Sequence, residues 1–294
     1  MNPQTSKPLQ PLKGVRVLSL SLNLPGPAAL MRCRQLGATC IKLEPPAGDP
    51  MALYKRSAYE ALHDGVRVAL ADLKTDKGQK ALHRELAKAD VLLTSFRPSA
   101  LRKLGLDWKV LHRQYPALSQ VAIVGAPGAG AEEPGHDLTY MAGNDLITGL
   151  NLPPTLYADM GGSVLASEAV LQALLHQRSK GKGVFLEVAL SEAAAWLALP
   201  RSWGLTTPGA AVGGGHAGYR VYPCKDGRVA VAALEPHFAA ALCTAANLQF
   251  SGMRMMFAAA THQAIAAWLL TQTRKSLEKL AADKDIPLHS LGKS

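Results

Sequence analysis

A strand, a helix and a second strand at the start of the chain constrain the fold more than any other feature. Val15-Arg16-Val17-Leu18-Ser19-Leu20 reads as a buried strand. Pro27 to Leu36 has helical spacing with a proline in its first turn, and Thr39-Cys40-Ile41-Lys42-Leu43 is a second strand. Gly37 stands just past the helix, the position where a left-handed residue commonly ends one. Two strands joined through a helix lie parallel, since a hairpin cannot contain such a connection. This β-α-β unit predicts an α/β protein with an open, mostly parallel sheet at the heart of the first half.

The pattern continues. Asp72 to Gly78 precedes a helical stretch in which Ala81, Leu82, Leu86 and Ala89 share a face, and Val91-Leu92-Leu93, Leu118 to Val124 and Val184 to Val188 supply further strands. The sheet is Rossmann-like, but the turn after its first strand, Asn23-Leu24-Pro25-Gly26-Pro27, is not G-x-G-x-x-G, which argues against a dinucleotide. Pro200 to Gly215 is dense in turn residues. The expected organisation is a large domain over residues 1–190, a linker over 191–210 and a smaller α/β domain over 211–294. In the smaller domain, Lys225-Asp226-Gly227 between two short apolar runs predicts a hairpin. Glu235-Pro236 opens a helix to about Ala246, and the tail reads as helices from Ala264 to Asp283, ending soon after Ile286-Pro287-Leu288.

A net charge of +10 calls for an anionic partner or a wide solubility margin. Nucleic acid fits poorly, because Lys and Arg are scattered and only 5% of residues are aromatic, which leaves few platforms for base stacking. A multiply charged small ligand accounts for the charge as well. Cys33, Cys40, Cys224 and Cys243 are far apart and form no C-x-x-C pair, so neither a zinc site nor a disulfide framework is predicted. No apolar run is long enough to span a bilayer, and Met1 to Leu12 lacks the apolar core of a signal peptide, so a cytoplasmic protein without a membrane partner is expected.

Two stretches carry candidate chemistry. Gly135-His136-Asp137-Leu138-Thr139-Tyr140 offers an imidazole, and Leu156-Tyr157-Ala158-Asp159-Met160-Gly161-Gly162-Ser163 offers a carboxylate before a glycine pair that opens a long helical pattern. An imidazole and a carboxylate can serve as opposite proton-transfer partners. Taken singly, His136 also reads as a loop histidine and Asp159 as a helix N-cap. In an open α/β sheet ligands bind beyond the carboxyl ends of the strands, and Lys42 and Arg97 both fall on that side, where each can bind a phosphate or remain a solvated charge.

Together these pieces resemble the family III CoA-transferase and α-methylacyl-CoA racemase superfamily from Leu12 to Leu288. The resemblance rests on Pro11 to Leu18, Leu36 to Pro46, Ala71 to Thr75, Ala89-Asp90-Val91-Leu92 through Arg97-Pro98, and Ser179-Lys180-Gly181-Lys182-Gly183. Gly135-His136-Asp137, Lys225-Asp226-Gly227 and Leu234-Glu235-Pro236-His237-Phe238 look closest to the racemase branch. The resemblance implies that His136 and Asp159 transfer protons, that Glu235 orients His136, and that the substrate is an acyl-CoA, with coenzyme A as part of it and no prosthetic group or metal. Amides near Gly161 and Gly162 would stabilise an enolate oxygen. A CoA-transferase with a nucleophilic Asp159, or a thioester binder without turnover, is the alternative. The resemblance also implies a C-terminal segment shorter than in relatives, and a homodimer whose interlocking is altered.

Overall fold

A computed structural model describes residues 9–292; the polar stretch 1–8 lies outside the described residues. β1 (Arg16–Ser19) leads into α1 (Pro25–Gln35), which begins with prolines, has Arg32 and Arg34 in its last turn and is followed by Gly37 at φ 100°. Cations there complement the helix dipole, and glycine alone adopts that backbone without strain. β2 (Thr39–Glu44) returns parallel to β1 with Val17 opposite Cys40. Two short helices, α2 (Met51–Tyr54) and α3 (Arg56–Leu62), precede β3 (Arg67–Leu70) at the sheet edge.

The chain then crosses to the other side of β1. α4 (Asp76–Leu86) is capped by the Thr75 hydroxyl, which accepts the Gly78 N–H at 3.1 Å, and leads to β4 (Val91–Thr94). α5 (Pro98–Lys103) and α6 (Trp108–Gln114) connect to β5 (Ser119–Val124). α7 (Asp137–Gly143) and the long α8 (Tyr157–Lys180), ended by Gly181 at φ 70°, connect to β6 (Phe185–Ala189), which runs directly into α9 (Leu190–Leu197).

All strands of this sheet are parallel, in the order β3-β2-β1-β4-β5-β6. Alternate side chains serve opposite faces. Val17, Cys40 and Val91 pack with Leu30 and Cys33 of α1 and with Val170 and Leu174 of α8, while Leu18, Ile41 and Leu92 pack with Leu82 and Leu86 of α4 and Leu111 of α6. Burial on both faces is what turns these strands into continuous apolar runs in the sequence.

The chain divides into two compact units, the first ending at Ala198 and the second beginning at Leu199. This division falls inside the stretch 191–210 expected as linker. The first residues of that stretch form α9, where Ala193 and Ala194 are buried and the Ser191 N–H bonds to the Gly125 carbonyl at 2.9 Å. The second unit holds α10 (Leu199–Ser202), β7 (Tyr219–Cys224), β8 (Gly227–Ala232), α11 (Pro236–Ala245), α12 (Ala259–Thr271), α13 (Arg274–Lys284) and β9 (Leu288–Leu291). Its sheet is antiparallel in the order β7-β8-β9, and the predicted hairpin spans Lys225 and Asp226. Asp226 also accepts the Arg274 N–H at 2.7 Å, which fixes the start of α13 to the turn. Beyond the expected helices the chain adds an unexpected strand: β9 pairs with β8, Ser290 opposite Val229. No helix among the described residues is long and apolar enough to cross a membrane.

Candidate active site at the switch point of the sheet

From β1 the chain winds to one side of the sheet through β2 and β3, and from β4 to the other through β5 and β6, so the loops beyond β1 and β4 diverge. A cleft of about 620 Å³ opens there, lined by Asn23 after β1, Arg97 after β4, Gly125 after β5, and by His136, Tyr140 and Asp159. The two segments singled out in the sequence thus meet in one cavity.

Neither segment has quite the predicted local structure. His136 is the N-cap of α7, and its N–H donates to the Thr139 hydroxyl at 3.1 Å. Asp159 is the third residue of α8 rather than its cap, because the helix begins at Tyr157. Asp137, 5% exposed, joins the two helix starts: its Oδ1 accepts the Asp159 N–H at 3.0 Å. A carboxylate at a helix start satisfies an orphan amide and complements the dipole.

The same arrangement sets the acidity of the site. Asp159 is pushed up to about 6, first by burial and then by the neighbouring Asp137 carboxylate, while His136 pulls it back down. Tyr140 is held above the ordinary phenol value by burial and then by the charge of Asp159. Its hydroxyl lies where a Cβ on Gly125 or Gly135 would approach to 2.3 or 2.5 Å. The glycine before His136 is therefore room for the Tyr140 ring. Asp137 and Tyr140 were not singled out as functional from sequence; their signal was adjacency to His136 within one helical turn.

Arg97 is exposed at the N-cap of α5 on the cleft wall, at the carboxyl edge expected for it. Lys42 is not available there. It is 0% exposed, ion-paired with Asp49 and with Glu44 at 3.1 Å, and 2.9 Å from His63 Nε2. Its charge is consumed inside the protein, so it cannot be the solvent-facing phosphate contact read from the sequence. Glu44, Asp49 and His63 bring ligand atoms within 4.8 Å of one another, as a metal site would, but Lys42 Nζ contacts all three and supplies the cation.

The Gly161 and Gly162 amides also fall short of the expected donor role. The Met160 N–H already bonds to the Leu156 carbonyl at 3.0 Å, so the following two amides lie within the helical ladder. The glycine pair instead serves close packing, since a Cβ on Gly162 would meet Leu190 Cδ2 at 2.3 Å. Glu235 lies in the second unit, exposed at the N-cap of α11. Burial pushes the Cys33 and Cys40 thiols up to about 12, so neither is a ready nucleophile.

Over 203 residues the chain is 32% identical to the cinnamoyl-CoA:phenyllactate CoA-transferase of Clostridium sporogenes, covering 62% of this chain and 49% of that protein. It is 29% identical over 245 residues to the alpha-methylacyl-CoA racemase of Homo sapiens, covering 77% of this chain and 62% of that protein. The crystal structure of the hypothetical protein Rv3272 from Mycobacterium tuberculosis is similar with a TM-score of 0.83 at 25% identity, over 96% of this chain and 85% of that one. The chain spans about half the length of the Clostridium sporogenes CoA-transferase and of two other curated transferases it matches, 49% to 54%. The match to CoA-transferase family III runs from residue 12 to residue 293, nearly the whole chain, and the chain belongs to that family.

Proposed function

We propose that this chain takes an acyl-CoA thioester into the switch-point cleft and inverts the configuration at C2 of a 2-methylacyl group. The observation that carries this reading is the Asp159 carboxyl, pushed up to about 6, in one cleft with the His136 imidazole. Two-base inversion requires a proton-transfer group on each face of C2, and an imidazole and a carboxylate are residue types that serve in that role. The thioester makes the α-proton acidic. One group removes that proton from one face of C2, the electron pair moves onto the thioester oxygen as an enolate, and the other group delivers a proton to the opposite face. Arg97 is the candidate contact to the phosphates of coenzyme A, which enters as part of the substrate. Similarity to the human racemase over 77% of this chain supports the reading.

A second reading is CoA transfer, favoured by the 32% identity to a CoA-transferase. Asp159 would attack the thioester carbonyl, expel the CoA thiolate and form a mixed anhydride; the thiolate would then return to give an aspartyl thioester and release the acid. Incubation of a 2-methylacyl-CoA in D₂O separates the two. Inversion should place deuterium at C2, and His136→Ala or Asp159→Asn should slow it by about 10² to 10⁴-fold, the range for lost general acid–base catalysis. Undeuterated substrate together with acyl-CoA-dependent inactivation by hydroxylamine would establish transfer instead. Binding of CoA with neither signal would mark a thioester binder without turnover.

A further inference from the structure

The β1–α1 turn holds a backbone that needs support. Asn23 has φ 66°, a left-handed conformation that a non-glycine residue keeps at a functional site when its surroundings fix it. Here a buried charge network does so. Both Asp49 oxygens lie within hydrogen-bond distance of the Asn23 N–H, at 3.1 and 3.2 Å, and Asp49, 1% exposed, is itself held by Lys42. Lys42 is anchored further by Glu44, whose Oε1 accepts from the Tyr59 hydroxyl at 3.0 Å. The amide of Asn23 is also oriented: the Tyr54 hydroxyl donates to its Oδ1 at 3.1 Å. With Oδ1 so engaged, the donor nitrogen Nδ2 is the end of the amide left to meet a ligand. Asn23 and Tyr54 both line the cleft that contains His136 and Asp159, and the charge of Asp159 is felt at the Tyr54 phenol.

We propose that the Asn23 side-chain amide is the hydrogen-bond donor to the reacting thioester oxygen, the part that the Gly161 and Gly162 amides cannot take. The inference rests on the acyl-thioester reading above, though not on the choice between inversion and transfer. In both reactions negative charge develops on that oxygen, as an enolate or as a tetrahedral adduct. A donor held beforehand in a fixed direction stabilises such charge without reorganising at the moment of reaction. The Lys42–Asp49 pair holds the Asn23 backbone N–H and Tyr54 holds the amide oxygen, so Tyr54 is a positioning residue.

Asn23→Gly is a suitable probe, because glycine accepts the positive φ while the side-chain amide, and with it the Tyr54 contact, is removed. Asn23→Asp keeps the shape and replaces the donor with a carboxylate. The rate of whichever reaction the wild-type protein runs on a 2-methylacyl-CoA, and the affinity for CoA by calorimetry, are measured for both variants. Each should lose about 10²-fold in kcat, as for one oxyanion donor, with CoA affinity within about twofold of wild type and an unchanged melting temperature for Asn23→Gly. Asn23→Gly turning over at the wild-type rate would overturn the assignment. So would a fall in CoA affinity as large as the fall in rate, which would make Asn23 a binding or structural residue. A wild-type protein that neither inverts nor transfers would refute the catalytic reading on which this inference rests, and the inference with it.

Discussion

Replacing Asp137 by asparagine isolates the electrostatic part of the site from its geometry. The Asp159 N–H that now bonds to Asp137 Oδ1 at 3.0 Å would find the same acceptor in the asparagine carbonyl. What disappears is the like charge that helps raise Asp159 from 3.8 to about 6. Burial is the largest cause of that rise and Asp137 the second, so its removal should lower the Asp159 value by no more than about one unit and leave it above an ordinary carboxylate. The sign is fixed, since a neighbouring negative charge disfavours ionisation. The quantity to measure is the acid limb of kcat/KM against pH for deuterium exchange, or the ¹³C titration of labelled Asp159 where turnover is too slow. An unmoved limb in Asp137→Asn would mean that burial alone sets the value. A limb displaced upward would refute the like-charge argument altogether.

Lys42→Met should destabilise the first unit by about 3–5 kcal/mol, the cost of leaving a buried carboxylate unpaired, and thermal unfolding within about 1 kcal/mol of wild type would contradict the network described. Arg97→Ala should weaken CoA binding by about 1.5–3 kcal/mol, the range for a hydrogen bond to a charged group, and unchanged calorimetric affinity would remove Arg97 from the ligand site. The raised value of Asp159 also has a stability consequence. A carboxyl that titrates near 6 when folded and near 3.8 when unfolded binds more protons in the native state between those values, so stability falls as pH rises through that window. Two units would be worth about 3 kcal/mol unscreened, and partial exposure reduces this, so Asp159→Asn should gain about 1–2 kcal/mol relative to wild type at pH 7 and almost nothing at pH 3.5. Equal gains at both pH values would point to packing rather than charge.

Much of the large sheet was readable because its strands are buried on two faces. Val91-Leu92-Leu93 and Leu118 to Val124 are apolar for that reason, and their order follows once each is joined by a helix. The elements that escaped reading lack such a pattern. β9 has no two-residue alternation of its own and becomes a strand only through its pairing with β8, Leu288 opposite Val231. α7 is a short helix, and its start depends on the Thr139 hydroxyl meeting the His136 backbone. α9 has helical spacing in the sequence, but which unit it joins does not show there; burial of Ala193 and Ala194 places it with the first.

The site was legible as chemistry and less so as geometry. A histidine before an aspartate and an aspartate before two glycines were enough to name His136 and Asp159, but the bond that joins their two segments belongs to Asp137, for which the sequence offers no role of its own. Lys42 misled because exposure is not local. β2 continues only to Glu44, the chain turns back through Gly48 at φ 74°, and Asp49 and Glu44 then enclose the lysine from two sides. The glycine pair misled in the opposite direction. Glycines at a helix start suggest open amides, but a helix has only four orphan N–H groups, and by Met160 the ladder is already closed. The proposed donor lies where the backbone departs from regular structure, at Asn23, and the buried Lys42, which does not reach the ligand side, pairs with the Asp49 carboxylate that holds the Asn23 N–H.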